Sequence, residues 1–216
     1  MKPCKACALS RGVLWPCLTA LIALAGCVSG LNSKIPAQQS YVLQAAPAPT
    51  PAAGVAGERP SSASVQVLRP SAAPGLEREG IAVLRAGRRL DFYTAARWAA
   101  RAPEMLQALV IDSLRSAGRF SAVESDAGPF AAQYVLGLEL QHFEAVYDTA
   151  GPPIIRVALV GTLGRSSDRI AIVSFTAHSE VRADADRMQA VIAAFDQATG
   201  QALAQLAANV APPTAH

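Results

Sequence analysis

The chain has 216 residues, 51% of them apolar and 16% charged, with 19 Lys+Arg against 16 Asp+Glu for a formal net charge of +3. That much apolar content at so little charge excludes a disordered chain, and the mild basicity is far from the clustered Lys/Arg of a nucleic-acid binder, so no nucleic-acid partner is expected. The length suits one sizeable domain with a tail.

The surplus charge is local. Residues 1–26 carry Lys2, Lys5 and Arg11 and no acid, so everything after them is formally neutral. An apolar run follows at 12–25 (GVLWPCLTALIALA), broken by Pro16. It falls short of the roughly 20 residues that a helix needs to cross a bilayer. A basic start, a short apolar run and a small-residue exit describe a secretory signal peptide over 1–26. The exit reads Leu24-Ala25-Gly26-Cys27 and resembles the bacterial lipobox, where a small residue precedes a cysteine that is lipidated and becomes N-terminal. The alternatives are an ordinary signal peptide with a chance cysteine, or an uncleaved anchor. The lipobox resemblance implies a covalent diacylglycerol and an N-acyl chain such as palmitate on Cys27, and no other cofactor. Several acyl chains make anchoring effectively permanent. Val28-Ser29 after the cysteine, in place of Asp, resembles the signal for the periplasmic face of the outer membrane. Cys4, Cys7 and Cys17 lie in the leader. Cleavage therefore leaves Cys27 alone, which excludes an intrachain disulfide and thiol or cysteine-metal chemistry.

Residues 27–63 read as the lipidated N-terminus, a polar tether and an Ala/Pro-rich spacer (45–63), with Tyr41-Val42-Leu43 as a short strand that could join a sheet. If it joins, the tether is 28–40 and spans at most about 45 Å. Globular composition starts at Ser64 and runs to 210, leaving 211–216 as a disordered tail. Strands are expected at 64–69, 80–85 and 89–94, the last two joined by a turn at Gly87-Arg88. A helix follows, with Pro103 in its first turn, Leu106, Leu109, Val110 and Leu114 on one face, Arg115 in its last turn and Gly118 as its stop. Phe120 to Val123 re-enters the sheet. Three longer strands come next at 134–147, 154–163 and 169–181, the last pair closing on Gly164-Arg165-Ser166-Ser167-Asp168. An Ala-rich helix from Asp184 or Asp186, either of which suits its N-cap, runs to about Val210. The fold class read from this order is α+β: a mainly antiparallel sheet with two helices packed on one face.

Little in the chain points to catalysis. It has no phosphate-cradling glycine loop and no nucleophile elbow in the folded region, and no histidine pair at metal-ligand spacing, so no metal site is expected. His142 and Glu144 share one strand face and could form an acid/base or metal pair, the residues on which a periplasmic hydrolase would depend. A solvated polar edge explains them as well, and no catalytic residue is assigned. Among the aromatics, Tyr134 and Phe143 fall on opposite faces by parity. Tyr93, Arg97 and Trp98 form a candidate partner interface, with Trp98 as its anchor; Trp98 could equally cap the core.

The lipobox, Tyr41-Val42-Leu43, Ile81-Ala82-Val83, Leu90-Asp91-Phe92-Tyr93 with Arg97-Trp98, and then Pro103, Leu106, Leu109, Leu114 and Gly118-Arg119-Phe120 follow one another in order. This series resembles the ABC-type transport auxiliary lipoproteins, the PqiC-like group found with MCE-domain lipid transporters, over roughly 41–210. The resemblance implies a non-catalytic accessory at the outer membrane that docks an MCE-domain protein, with an inner-membrane permease and ATPase supplying the energy. A homo-oligomer is compatible with it. The long Pro-rich spacer departs from the family pattern. A second reading is a structural envelope lipoprotein that assists lipopolysaccharide or outer-membrane protein assembly, or activates a cell-wall synthase.

Overall fold

The fold comes from a computed structural model that describes residues 38–45, 61–85, 89–148 and 150–212. The leader, the lipobox with Cys27, the tether before Gln38, most of the spacer, the Gly87-Arg88 turn and the end of the tail lie outside the described residues.

The described residues form nine strands and two helices, in order β1 Gln39–Tyr41, β2 Ser61–Val67, β3 Ser71–Ala72, β4 Gly80–Arg85, β5 Arg89–Trp98, α1 Ala102–Ala117, β6 Phe120–Ser125, β7 Tyr134–Tyr147, β8 Ile154–Arg165, β9 Ala171–Arg182 and α2 Met188–Asn209. The class is the expected α+β arrangement. The long ladders β4–β5, β7–β8 and β8–β9 are antiparallel. The sheet also has a parallel part. One edge of β7 takes β8; the other takes β2, β3 and β4 in succession, all parallel to it. The sheet forks there, into a β2–β6 branch and a β4–β5–β1 branch.

The helices cover one face. α2 runs along β8 and β9, and α1 lies against β6 and touches α2. Leu106, Val110 and Leu114 of α1 are buried at a four-residue period, which is one stripe of an amphipathic helix. α1 ends where Gly118 adopts φ 66° and returns its N–H to the Arg115 carbonyl. A left-handed residue there satisfies an orphan carbonyl, and glycine adopts it without a Cβ clash. On α2, Ala190, Ala194, Ala198 and Ala202 are all buried. Small side chains at that spacing let the helix axis approach the sheet closely.

Three aromatic rings form the centre. Trp98 lies 5.5 Å from Phe143 and 5.1 Å, edge-on, from Phe195, and Phe143 lies 5.0 Å from Phe195. The parity reading of β7 fails on one residue. The pairing passes from Leu140↔Leu159 to His142↔Ala158, so Gln141 is an extra, bulged residue. A bulge resets the alternation. Tyr134, Leu136, Leu138, Leu140, Phe143 and Ala145 therefore share the helix-covered face, and Tyr134 and Phe143 are not on opposite sides.

Candidate functional site

The sequence grouped Tyr93, Arg97 and Trp98, all on β5. The structure separates them. Between the pairs Gly80↔Arg97 and Ala82↔Phe92, β5 carries four residues against one on β4. This bulge sets Tyr93 apart from the other two, while Arg97 and Trp98, consecutive beyond it, point to opposite faces by ordinary alternation. Trp98 is 1% exposed and belongs to the aromatic core. It is no surface anchor, because β1 and α2 close over it: Tyr41 pairs with it and Phe195 packs on its ring. Arg97 stays at the surface, where Nε donates to Ser40 Oγ at 3.1 Å and its guanidinium meets Glu79 Oε2 at 3.2 Å. Both bonds tie neighbouring segments together.

Tyr93 points to the end of the sheet. Its hydroxyl lies 2.9 Å from that of Tyr147, which donates to Asp186 Oδ1 at 2.5 Å. The Arg85 guanidinium stacks 4.6 Å over the Tyr147 ring, an arrangement stabilised by the ring quadrupole. Burial, followed by the hydrogen bond to Asp186, pushes the Tyr147 phenol far above its usual range. Burial also raises the Tyr93 phenol. Both hydroxyls therefore stay protonated and act as fixed donors. Asp186 is thus not the cap of α2: the N-cap is Arg187, with no side-chain hydrogen bond. Asp186 joins the helix start to β7 instead. The sequence signal for this link was faint, an acid before a helix and a tyrosine at a strand end.

His142 and Glu144 do share a face, with Nδ1 and Oε1 2.8 Å apart. The pair is not a solvated edge, since Glu144 is 4% exposed. Its other oxygen accepts the Phe143 N–H at 2.7 Å. That amide sits beside the Gln141 bulge, and the carboxylate satisfies it. The pair reads as local repair of the ladder.

The chain leading out to the N-terminus is strapped to the domain. β1 pairs in parallel with the end of β5, Gln39↔Ala96 to Tyr41↔Trp98. Gln38 Nε2 donates to the Thr94 carbonyl at 3.0 Å and Ala99 N–H to that of Tyr41 at 2.7 Å. Leu43 is buried, and Gln44 N–H donates to Asp196 Oδ1 of α2 at 2.8 Å. The expected strand at 41–43 thus exists, shifted to 39–41. Burial raises the Asp196 carboxyl above its usual range, opposed by the Gln44 N–H.

Against known proteins, the family model for the ABC-type transport auxiliary lipoprotein component matches residues 41–211. The chain belongs to this family. A crystal structure of a DUF330 family protein from Xanthomonas campestris is 28% identical, with a TM-score of 0.69, covering 78% of this chain and 92% of that one. A second crystal structure, of an uncharacterized protein, is 15% identical with a TM-score of 0.56, covering 78% and 98%, and shares the fold. No curated protein matches. As an auxiliary lipoprotein the chain is an accessory of an ABC-type transport system. Among its described residues no helix is long and apolar enough to cross a membrane. The match begins at Tyr41, within β1, so the strap lies at the start of the family's domain.

Proposed function

We propose that this auxiliary lipoprotein is a non-catalytic accessory held by lipid on Cys27 in the outer membrane, facing the periplasm, where it docks the MCE-domain protein of a lipid transporter. A separate inner-membrane permease and ATPase supply the energy. The observation that carries the reading is the family match over 41–211, which spans every element from β2 to α2 and the end of β1. The short apolar leader ending in Leu24-Ala25-Gly26-Cys27 supports the anchor. With the strap beginning at Gln38, the tether between Cys27 and the domain spans at most about 40 Å.

The test is affinity purification of the lipidated protein from a cross-linked cell envelope. The reading expects the MCE-domain protein to co-purify with wild type. Recovery of a β-barrel assembly component or a cell-wall synthase in its place would overturn it in favour of the envelope-assembly role.

A further inference from the structure

Large apolar side chains that stand exposed are few: among the described residues they are Val42, Leu68, Leu90, Phe130, Ile170 and Ile172. Phe130 and Ile170 are 72% and 59% exposed, and they sit at the same end of the sheet. Phe130 lies in the loop at 126–133 that leads into β7. Ile170 and Ile172 lie where the turn after β8 enters β9. The two segments are joined, since Ser166 N–H donates to the Gln133 carbonyl at 2.9 Å.

This end is held firmly. Gln133 N–H donates to Ser64 Oγ at 3.1 Å. In the β8–β9 turn, Arg165 N–H donates to the Ile170 carbonyl at 3.0 Å and Ile170 N–H to Asp168 Oδ1 at 3.1 Å. The Arg165 guanidinium meets Asp168 Oδ2 at 2.8 Å. The Ile170 N–H, then the arginine, hold the Asp168 carboxyl below its usual range. The fixed frame displays its apolar groups with little conformational entropy left to lose on binding. Beside them is a hollow of about 440 Å³ lined by Ala132, Gln133, Tyr134, Arg165, Ser166 and Ser167. Within it the Ser166 hydroxyl is buried with no hydrogen-bond partner. Of the nearby arginines, Arg165 pairs with Asp168 and Arg69 with Glu104. Arg169, in the left-handed region at φ 58°, has no acidic partner among the described residues.

The direction of the chain decides which way this end faces. β5 is antiparallel to β4 and β4 is parallel to β7. β1, parallel to β5, therefore runs antiparallel to β7, and the chain enters β1 from the Tyr147 end of the sheet. Through Ser40↔Arg97↔Gly80 and Ala82↔Glu144, β1 lies level with the His142–Glu144 stretch of β7, about 26 Å along the strand from Tyr134 and the Phe130–Ile170 end.

We propose that the Phe130–Ile170 end is the surface on which this domain receives its protein partner in transport. Phe130 and Ile170 are the anchors that enter an apolar socket. Arg169 supplies a guanidinium to acceptors on its rim. Aromatic and arginine anchors beside a small hollow are the composition of a binding hot spot. The assignment rests on the docking reading above.

The experiment uses the full lipidated chain in phospholipid vesicles with the purified MCE-domain protein from the same organism. A benzophenone side chain replaces Phe130 in one sample and Leu90, at the Tyr147 end of the sheet, in another. Position 130 should cross-link the MCE-domain protein at least tenfold more than position 90. The double variant Phe130→Ser, Ile170→Ser should bind it at least tenfold more weakly while melting within a few degrees of wild type. Cross-linking from 90 but not 130, lipid as the main adduct at 130, or undiminished binding by the double variant overturns the surface assignment and leaves docking itself standing. Failure of the wild-type protein to bind at all overturns both.

Discussion

Replacing Trp98 separates a core role from an interface role. The ring is 1% exposed and packs on Phe143 and Phe195 at 5.5 and 5.1 Å. Truncating a buried Trp to Ala costs about 3–5 kcal/mol, and losing two aromatic pairs puts Trp98→Ala toward the upper end. One feature works the other way. The indole Nε1–H is buried without a partner, and such a group costs about 1–3 kcal/mol. Trp98→Phe removes that donor while leaving a ring in place. The gain then roughly offsets the smaller volume, and the net change should stay within about 1 kcal/mol. For a domain of this size each kcal/mol moves the melting temperature by about 2–4 °C. Thermal unfolding of the leaderless protein at pH 7, followed by circular dichroism, should show Trp98→Ala melting about 8–20 °C below wild type and Trp98→Phe within about 4 °C. If Trp98→Ala melted with wild type, the residue would not be core and the surface-anchor reading of β5 would return.

Other residues give further expectations. Asp196 has a raised native pKa, so above the ordinary value of 3.8 the native state holds its proton more tightly than the unfolded chain. Its contribution to stability is present at low pH and falls as pH rises through the native value. Relative to Asp196→Asn, wild type should lose stability across that window; urea midpoints at a series of pH values that kept a constant difference would refute this. Gln205 covers an edge of the sheet by accepting from His178 N–H at 3.0 Å and donating to its carbonyl at 2.9 Å. Gln205→Ala should cost about 1–3 kcal/mol and promote self-association through β9, which urea titration and analytical ultracentrifugation would read. Gly118→Ala meets no neighbouring atom within 4 Å but must adopt φ 66°, so it should cost about 1–2 kcal/mol from backbone strain alone. A measured change near zero would show that α1 ends differently.

The sequence made the elements legible where one physical signal dominated. β4 and β7 have the expected boundaries, β4 from its apolar run and β7 from its alternation, and Pro103 and Gly118 frame α1 as their backbone preferences require. What it hid were bulges. Gln141 and the four-residue bulge in β5 follow from tertiary pairing and leave no local mark, yet each reverses which side chains face outward. That is why Tyr93 turns away from Arg97 and Trp98. The parallel pairing along β7 was equally hidden, because it joins segments far apart in the chain. Ile170 reads as part of a strand at 169–181, and nothing local shows that Ser166 and Gln133 join its segment to that of Phe130. The strap was half legible: Tyr41 to Leu43 suggested a strand, whereas its bond to Asp196 depends on where α2 lies.

The account stands most directly on where the protein is held and what it holds there. Outer-membrane fractions from cells producing the wild-type or Cys27→Ala protein, cross-linked and affinity-purified, give one readout: the amount of MCE-domain protein recovered with the bait. The account predicts strong recovery with wild type and loss of recovery from the membrane fraction with Cys27→Ala. Recovery unchanged by Cys27→Ala would contradict the lipid anchor, and no recovery with wild type would contradict the docking role.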